Sequence, residues 1–202
     1  MAQVKILSIG EHHKNSEGKL VVHSTIILIK GEKNFIVDAG SFLDKEKIIE
    51  GLKQENLTCD DIDYVILTHL HLDHIVNVNL FKNAKILLKF KGGNEYPGQM
   101  HVPASGYLER YDLVGAPELD KDVKIILTPG HTPDMISVVV KTNEGVVVIA
   151  GDAFPSEDFQ DIAKQPDPLF NDVFQFNESR KKILEIADFI IPGHGDIFKV
   201  KK

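Results

Sequence analysis

Four short apolar runs in this chain each end at a histidine or an aspartate, and that pattern narrows the folds open to it. Tyr64 to Thr68 leads into His69-Leu70-His71-Leu72-Asp73-His74. Val123 to Leu127 leads into Thr128-Pro129-Gly130-His131-Thr132. Val146 to Ala150 leads into Gly151-Asp152, and Phe189 to Ile191 into Pro192-Gly193-His194-Gly195. Apolar runs this short read as buried strands. Strands that end at one edge of a sandwich bring their last side chains to a common place, and the glycines let the backbone turn tightly there.

The chemistry of those ends points to metal. In an extended segment alternate side chains face the same way, so His69 and His71 can grip one ion together. Asp73 and His74 fall where the chain should turn into a helix, and they can address a second site beside the first. Imidazole nitrogen and carboxylate oxygen are ligands zinc prefers. Taken singly, a Gly-Asp pair is an ordinary turn and a histidine between glycines an ordinary loop residue. Beside three histidines in the six positions 69 to 74, His131, Asp152 and His194 read as the rest of the ligand set.

The remaining chain supplies a scaffold of strands and a few helices. Val4 to Ile9, Val21 to Lys30 and Asn34 to Asp38 read as strands, with a hairpin turn at Gly31-Glu32-Lys33-Asn34. Ile48, Ile49 and Leu52 give Leu43 to Leu57 a helical spacing. Asp73 to Phe81 is expected to be helical with Asp73 as N-cap, and Ala84 to Leu88 a strand. Gly92 to Ala116 has Pro and Gly clusters and no period, and reads as a long, site-covering loop containing His101, Tyr107 and Tyr111 as candidate pocket residues. Ile136 to Lys141 is a strand, Phe154 to Phe170 is mixed and polar, and Glu178 to Ala187 is helical. His12-His13 reads as a solvent-exposed polar turn.

Bulk properties exclude several classes. The chain has 202 residues, a net charge of −7, one cysteine (Cys59), and no repeat or Pro/Gly/Ser linker, so a single domain over 1–202 is expected. One cysteine rules out a disulfide framework and suggests a reducing compartment. No apolar run approaches the roughly 20 residues of a membrane helix, and the N-terminus does not read as a secretory signal. A cytoplasmic protein that does not engage membranes is the expectation, with a homodimer left open. The acidic balance gives no general attraction to nucleic acid.

THLHLDH, TPGHT, AGD and PGHG, in that order, resemble the signature of the metallo-β-lactamase superfamily. The spacings agree, with 57 residues from His74 to His131, 21 to Asp152 and 42 to His194, and Val37-Asp38-Ala39-Gly40 matches an early family motif. The resemblance implies an α+β fold, a four-layer αβ/βα sandwich with its site at one edge. It implies two metal ions, with zinc expected and iron or manganese as alternatives. His69, His71 and His131 would hold the first and Asp73, His74 and His194 the second, with Asp152 bridging. Asp38 would support the histidine loop through hydrogen bonds without ligating. Metal lowers the pKa of bound water toward about 7, so a hydroxide between the ions would attack, with Asp73 orienting it and taking its proton.

Relatives within the superfamily divide on substrate. Redox di-iron members place Glu where His71 stands, and the commonest β-lactamases place Cys where Asp152 stands. Other nucleases carry an inserted domain or a tRNA-binding arm that this chain lacks. Glyoxalase II shares a TPGHTP segment, but only 8 residues follow His194 here, too few for its glutathione-binding extension. Glu178 to Gly195, HTPDMISVVV and VVVIAGDAF are similar to small single-domain members associated with endoribonuclease activity. That implies phosphodiester cleavage in RNA, with Arg110, Arg180, Lys181 and Lys182 as candidate phosphate contacts. A thioester, lactone or ester hydrolase acting on a small molecule is the alternative, and a non-catalytic metal-binding module a third.

Overall fold

The computed structural model of the chain describes residues 1–89, 107–110 (backbone only), 119–169 and 171–201. The strands are β1 (Gln3–Ser8), β2 (Glu11–Lys14), β3 (Leu20–His23), β4 (Ile26–Lys30), β5 (Asn34–Val37), β6 (Tyr64–Ile66), β7 (Lys85–Leu88), β8 (Tyr107–Arg110), β9 (Val123–Leu127), β10 (Ile136–Thr142), β11 (Gly145–Gly151), β12 (Phe189–Pro192) and β13 (Phe198–Lys199). The helices are α1 (Lys45–Gln54), α2 (Leu72–Ile75) and α3 (Val173–Ile186). One sheet has the order β1-β4-β5-β6-β7-β8 and the other β13-β12-β11-β10-β9, while β2 and β3 pair only with each other. Pairing is parallel from β5 through β8 and between β11 and β12, and antiparallel elsewhere.

Burial on both faces explains the apolar runs. In β4, Ile27 and Ile29 face the opposite sheet and join Phe35, Val37, Ile66, Val138, Val140, Ile149 and Ile191 in the central core. Ile26 and Leu28 face the other way, toward Ile48 and Leu52 of α1. On the second sheet, Val148, Ala150 and Ile190 meet Ile183 and Ala187 on the α3 side. A strand covered on both faces has no polar side to alternate with. Each such side chain contributes about 1.5–3 kcal/mol by leaving water. The result is the four-layer αβ/βα sandwich that the resemblance implies.

Several boundaries differ from the sequence reading, each for a local reason. Val21 to Lys30 is two strands, because Ser24 and Thr25 send their bonds elsewhere. Ser24 N donates to Asp73 O (3.1 Å), Thr25 N to Gly193 O (2.7 Å) and Thr25 Oγ1 to Gly195 O (2.8 Å). The helix expected over Asp73 to Phe81 shrinks to α2 and a 3-10 turn at Val78–Leu80, and Asp73 lies inside α2 while His71 takes the cap position. The chain from Ala39 to Ser41 competes for its hydrogen bonds: Ala39 N takes His74 O, and Asn77 Nδ2 donates to Ala39 O and Ser41 O. Helix α3 starts five residues before the expected Glu178, capped by Asp172, which accepts from Gln175 N at 3.0 Å. Phe189 to Ile191 is followed by a further strand, β13. The expected loop Gly92 to Ala116 contains β8, and the rest of it, with His101 and Tyr111, lies outside the described residues. Among the described residues no helix is long and apolar enough to cross a membrane.

Candidate metal centre

The four apolar strand ends do meet. His69, His71, His131 and Asp152 bring one potential ligand atom each within 4.8 Å of one another, and Asp73, His74 and His194 do the same. Asp152 lies between the groups. Its Oδ2 is 3.3 Å from His131 Nε2, and its Oδ1 is 3.4 Å from His74 Nε2 and 3.5 Å from His194 Nε2. Asp73 Oδ2 lies 3.5 Å from His74 Nε2 and 3.6 Å from His194 Nε2.

Four of the five imidazoles are aimed by their other nitrogen. Asp38, at the end of β5 and in the left-handed region at φ +59°, accepts from Thr68 N (2.8 Å), Thr68 Oγ1 (2.9 Å) and His74 Nδ1 (2.7 Å). The Thr68 hydroxyl proton goes to Asp38, so His69 Nδ1–H donates to Thr68 Oγ1 at 3.1 Å and its Nε2 is left with a lone pair. His194 Nδ1–H donates to His23 O at 3.0 Å. His131 Nδ1–H donates to Asn171 Oδ1 at 3.1 Å, and Asn171 Nδ2 in turn donates to Asp167 O at 2.8 Å. Fixing one ring nitrogen as donor leaves the other free to ligate. His71 differs, since it turns Nδ1 inward, 3.0 Å from His131 Nε2.

Two glycines make room for this packing. A side chain at Gly193 would collide with Asp152 Oδ1. At Gly130 (φ +140°) it would strike the Phe176 backbone, so the loop carrying His131 could not sit against α3.

The charge pattern separates the two groups. Burial, then His74, holds His69 well below the ordinary histidine value, and burial with His131 lowers His71. Burial would also depress His74, but Asp38 and Asp152 outweigh it and hold His74 well above that value. His194 is raised too, because its bond to Asp152 overcomes burial. Burial would raise the Asp152 carboxyl, yet His74 and His194 keep it well below the usual carboxylate range.

The donor set fits metal ions. His69 Nε2, His74 Nε2 and Asp152 Oδ1 are buried with no hydrogen-bond partner. Each such atom costs about 1–3 kcal/mol when unsatisfied, and all three face the same small space. Divalent cations would satisfy them together, and a nitrogen and oxygen set of this kind suits zinc, iron or manganese.

The other expected site residues fall elsewhere. Arg180, expected as a phosphate contact, is instead fully buried. Its guanidinium donates to Phe159 O, Asp161 O, Ile162 O and Asn177 Oδ1 and lies over the Phe159 and Phe176 rings. A guanidinium committed in this way holds the 159–162 segment and is not available to a substrate. Lys181 pairs with Glu178 at 2.8 Å, and Lys182 donates to Leu127 O at 3.1 Å. The side chains of Arg110 and Tyr107 lie outside the described residues. His12 and His13 are exposed as expected but lie in strand β2, paired with Val22 and Val21, and not in a turn; the His12 ring is 5.3 Å from that of His194. Asn171, Thr68 and the His23 carbonyl escaped the sequence reading. Thr68 at least adjoins the motif, whereas Asn171 and His23 carry no signal in one dimension.

Comparison with known proteins agrees with this geometry. The family model of the Metallo-beta-lactamase superfamily matches residues 18–194. Metallo-beta-lactamase domain-containing protein 1 of Xenopus laevis is 34% identical over 183 residues, 88% of this chain and 73% of that protein. The "Probable metallo-hydrolase" of Methanocaldococcus jannaschii is 37% identical over 168 residues, 82% of this chain and 73% of that one. A Thermotoga maritima crystal structure of the metallo-beta-lactamase class superposes with a TM-score of 0.74 at 25% identity, over 98% of this chain and 99% of the other.

Proposed function

The chain belongs to the metallo-beta-lactamase superfamily, and from that premise we propose that it is a two-metal hydrolase of small carboxylic esters, with lactones and thioesters in the same class. His69, His71 and His131 would hold the first ion and Asp73, His74 and His194 the second, with Asp152 available to both; zinc is the expected metal. The observation that carries the reading is Asp152, one oxygen toward each histidine group, within 3.3–3.5 Å of three imidazole nitrogens.

Bound metal would lower the pKa of water toward about 7 and polarise the carbonyl under attack. The chain's residues do the rest. Asp73 is the ligand-group carboxylate with the more exposed side chain, 20% against 9% for Asp152. It takes a proton from the attacking water and returns it to the departing oxygen or sulfur. His69 and His71, held neutral by burial, keep lone pairs for ligation. Asp38 and Asn171 keep His74 and His131 aimed.

The choice of carbonyl over phosphodiester follows from the cations. RNA binding requires basic groups that replace counterions on phosphate. Of the four expected contacts, Arg180 is buried, Lys181 is paired with Glu178 and Lys182 is held by Leu127 O, while the side chain of Arg110 lies outside the described residues. The test is a panel on the zinc-loaded protein, comprising a lactone, a thioester, a simple ester, bis-p-nitrophenyl phosphate and single-stranded RNA. Turnover of the carbonyl substrates that disappears with chelator and with Asp152→Ala is expected. Metal-dependent RNA cleavage with no carbonyl turnover would overturn the assignment.

A further inference from the structure

A pocket of about 310 Å³ opens beside His131. Pro133, Pro168 and Leu169 form its apolar wall, and Asn171, Asp172 and Gln175 its polar one. Leu169 is 84% exposed. The polar wall carries one formal charge, the Asp172 carboxylate. Asn171 spends both ends of its amide, on His131 and on Asp167 O. Gln175 donates its backbone N–H and its side-chain amide to Asp172, at 3.0 and 2.6 Å. That leaves the Gln175 side-chain oxygen, the second N–H of each amide and, as the one charged group, the Asp172 carboxylate to meet a ligand. The Gln175 backbone N–H, then its side chain, holds the Asp172 carboxyl below its usual range, so it stays anionic at neutral pH. No lysine or arginine lines the pocket among the described residues.

We propose that this pocket receives the part of the substrate that is not cleaved, and that it selects an arm with an apolar body carrying an N–H donor or a positive charge. Arms bearing carboxylate or phosphate are disfavoured, because they would meet Asp172 and no lysine or arginine among the described residues lines the pocket to compensate. The proposal rests on the hydrolase reading above and narrows its substrate class. Because the same Asn171 lines the pocket and orients His131, an arm seated there lies against the group that aims a metal ligand.

The chain has no tryptophan, so Leu169→Trp at this exposed position makes a single fluorescent reporter. Zinc-loaded Leu169→Trp is titrated with three amides that resist hydrolysis, differing only in an arm that ends in ammonium, methyl or carboxylate. The ammonium arm is expected to bind about five- to tenfold more tightly than the carboxylate arm, the effect of one partly exposed charge. Asp172→Asn in the same background should bring the two within about twofold. Asparagine caps a helix as well as aspartate does, so an unchanged unfolding midpoint certifies α3. Equal binding of all three arms, no fluorescence response, or a preference that survives Asp172→Asn would overturn the proposal. Matched esters are assayed in parallel. Selective amide binding without ester turnover would leave the subsite standing and remove the hydrolase reading. Ester turnover with no arm preference would do the reverse.

Discussion

Asp38→Asn should strip the centre of metal while leaving the fold in place. Asparagine tolerates the left-handed backbone that Asp38 adopts at φ +59°, and its carbonyl can still accept from Thr68 N. The amide nitrogen, however, replaces the oxygen that accepts from both Thr68 Oγ1 (2.9 Å) and His74 Nδ1 (2.7 Å). Two donors then face a donor. His74 can escape only by moving its proton to Nε2, the nitrogen that would ligate. If the Thr68 hydroxyl turns instead toward His69 Nδ1, His69 must carry its proton on Nε2 as well. Losing two hydrogen bonds to a charged group costs roughly 3–6 kcal/mol in the metal-free chain. Removing a group that orients a ligand commonly weakens metal binding about 10–100-fold; with two imidazoles turned, the upper end is expected. Competition against a chromophoric chelator measures affinity, and urea unfolding of the metal-free chain separates affinity from stability. An Asn variant that keeps two ions within about threefold of wild-type affinity would refute the reasoning.

Arg180→Met should lower stability by about 3 kcal/mol, because the Phe159, Asp161 and Ile162 carbonyls and the Asn177 side chain lose a charged donor, while metal affinity stays unchanged; a urea midpoint within experimental error of wild type would contradict the clamp. Stability of the metal-free chain should peak near pH 6.5, the ordinary histidine value. Above it, the contribution of His74 and His194, raised by their carboxylate partners, is lost as pH rises through their folded values. Below it, the unfolded chain takes up protons that buried His69 and His71 refuse, and stability falls again. Zinc should abolish the alkaline decline, since ligation replaces those protons; unfolding midpoints from pH 5 to 9 with and without zinc check this, and a metal-free midpoint still climbing at pH 8.5 would count against it. Gly193→Ala should push the Asp152 carboxylate aside and reduce metal content from two ions to one or fewer, read by elemental analysis; full occupancy would show that Asp152 need not stand where it does.

The positions of the candidate ligands were legible in one dimension because they cluster at the ends of apolar runs. A strand buried on both faces, such as Ile26 to Ile29, must be continuously apolar, and the chain can become polar again only where the sheet ends. His69, His131, Asp152 and His194 mark those ends, so strand and site are read from the same signal. The helix Leu43 to Leu57 was legible for a related reason, since α1 covers one face and keeps its period. Elements without a buried face carried no such signal. All four residues of β2 are exposed, and the first turns of α3 are set by a cap and by the Gly130 contact with Phe176.

Folding decided what depends on partners distant in sequence. Arg180 reads as a surface cation in a helix of charged residues, yet the 159–162 segment lays its carbonyls across it and buries it. Thr25 reads as mid-strand, but Gly193 and Gly195, some 170 residues away, take its bonds and split the strand. The tautomers of His74, His131 and His194 depend on Asp38, Asn171 and the His23 carbonyl, each supplied by a different part of the chain. A hydrogen bond depends on where the acceptor stands in space, and composition and periodicity record only what a residue's own neighbours along the chain require.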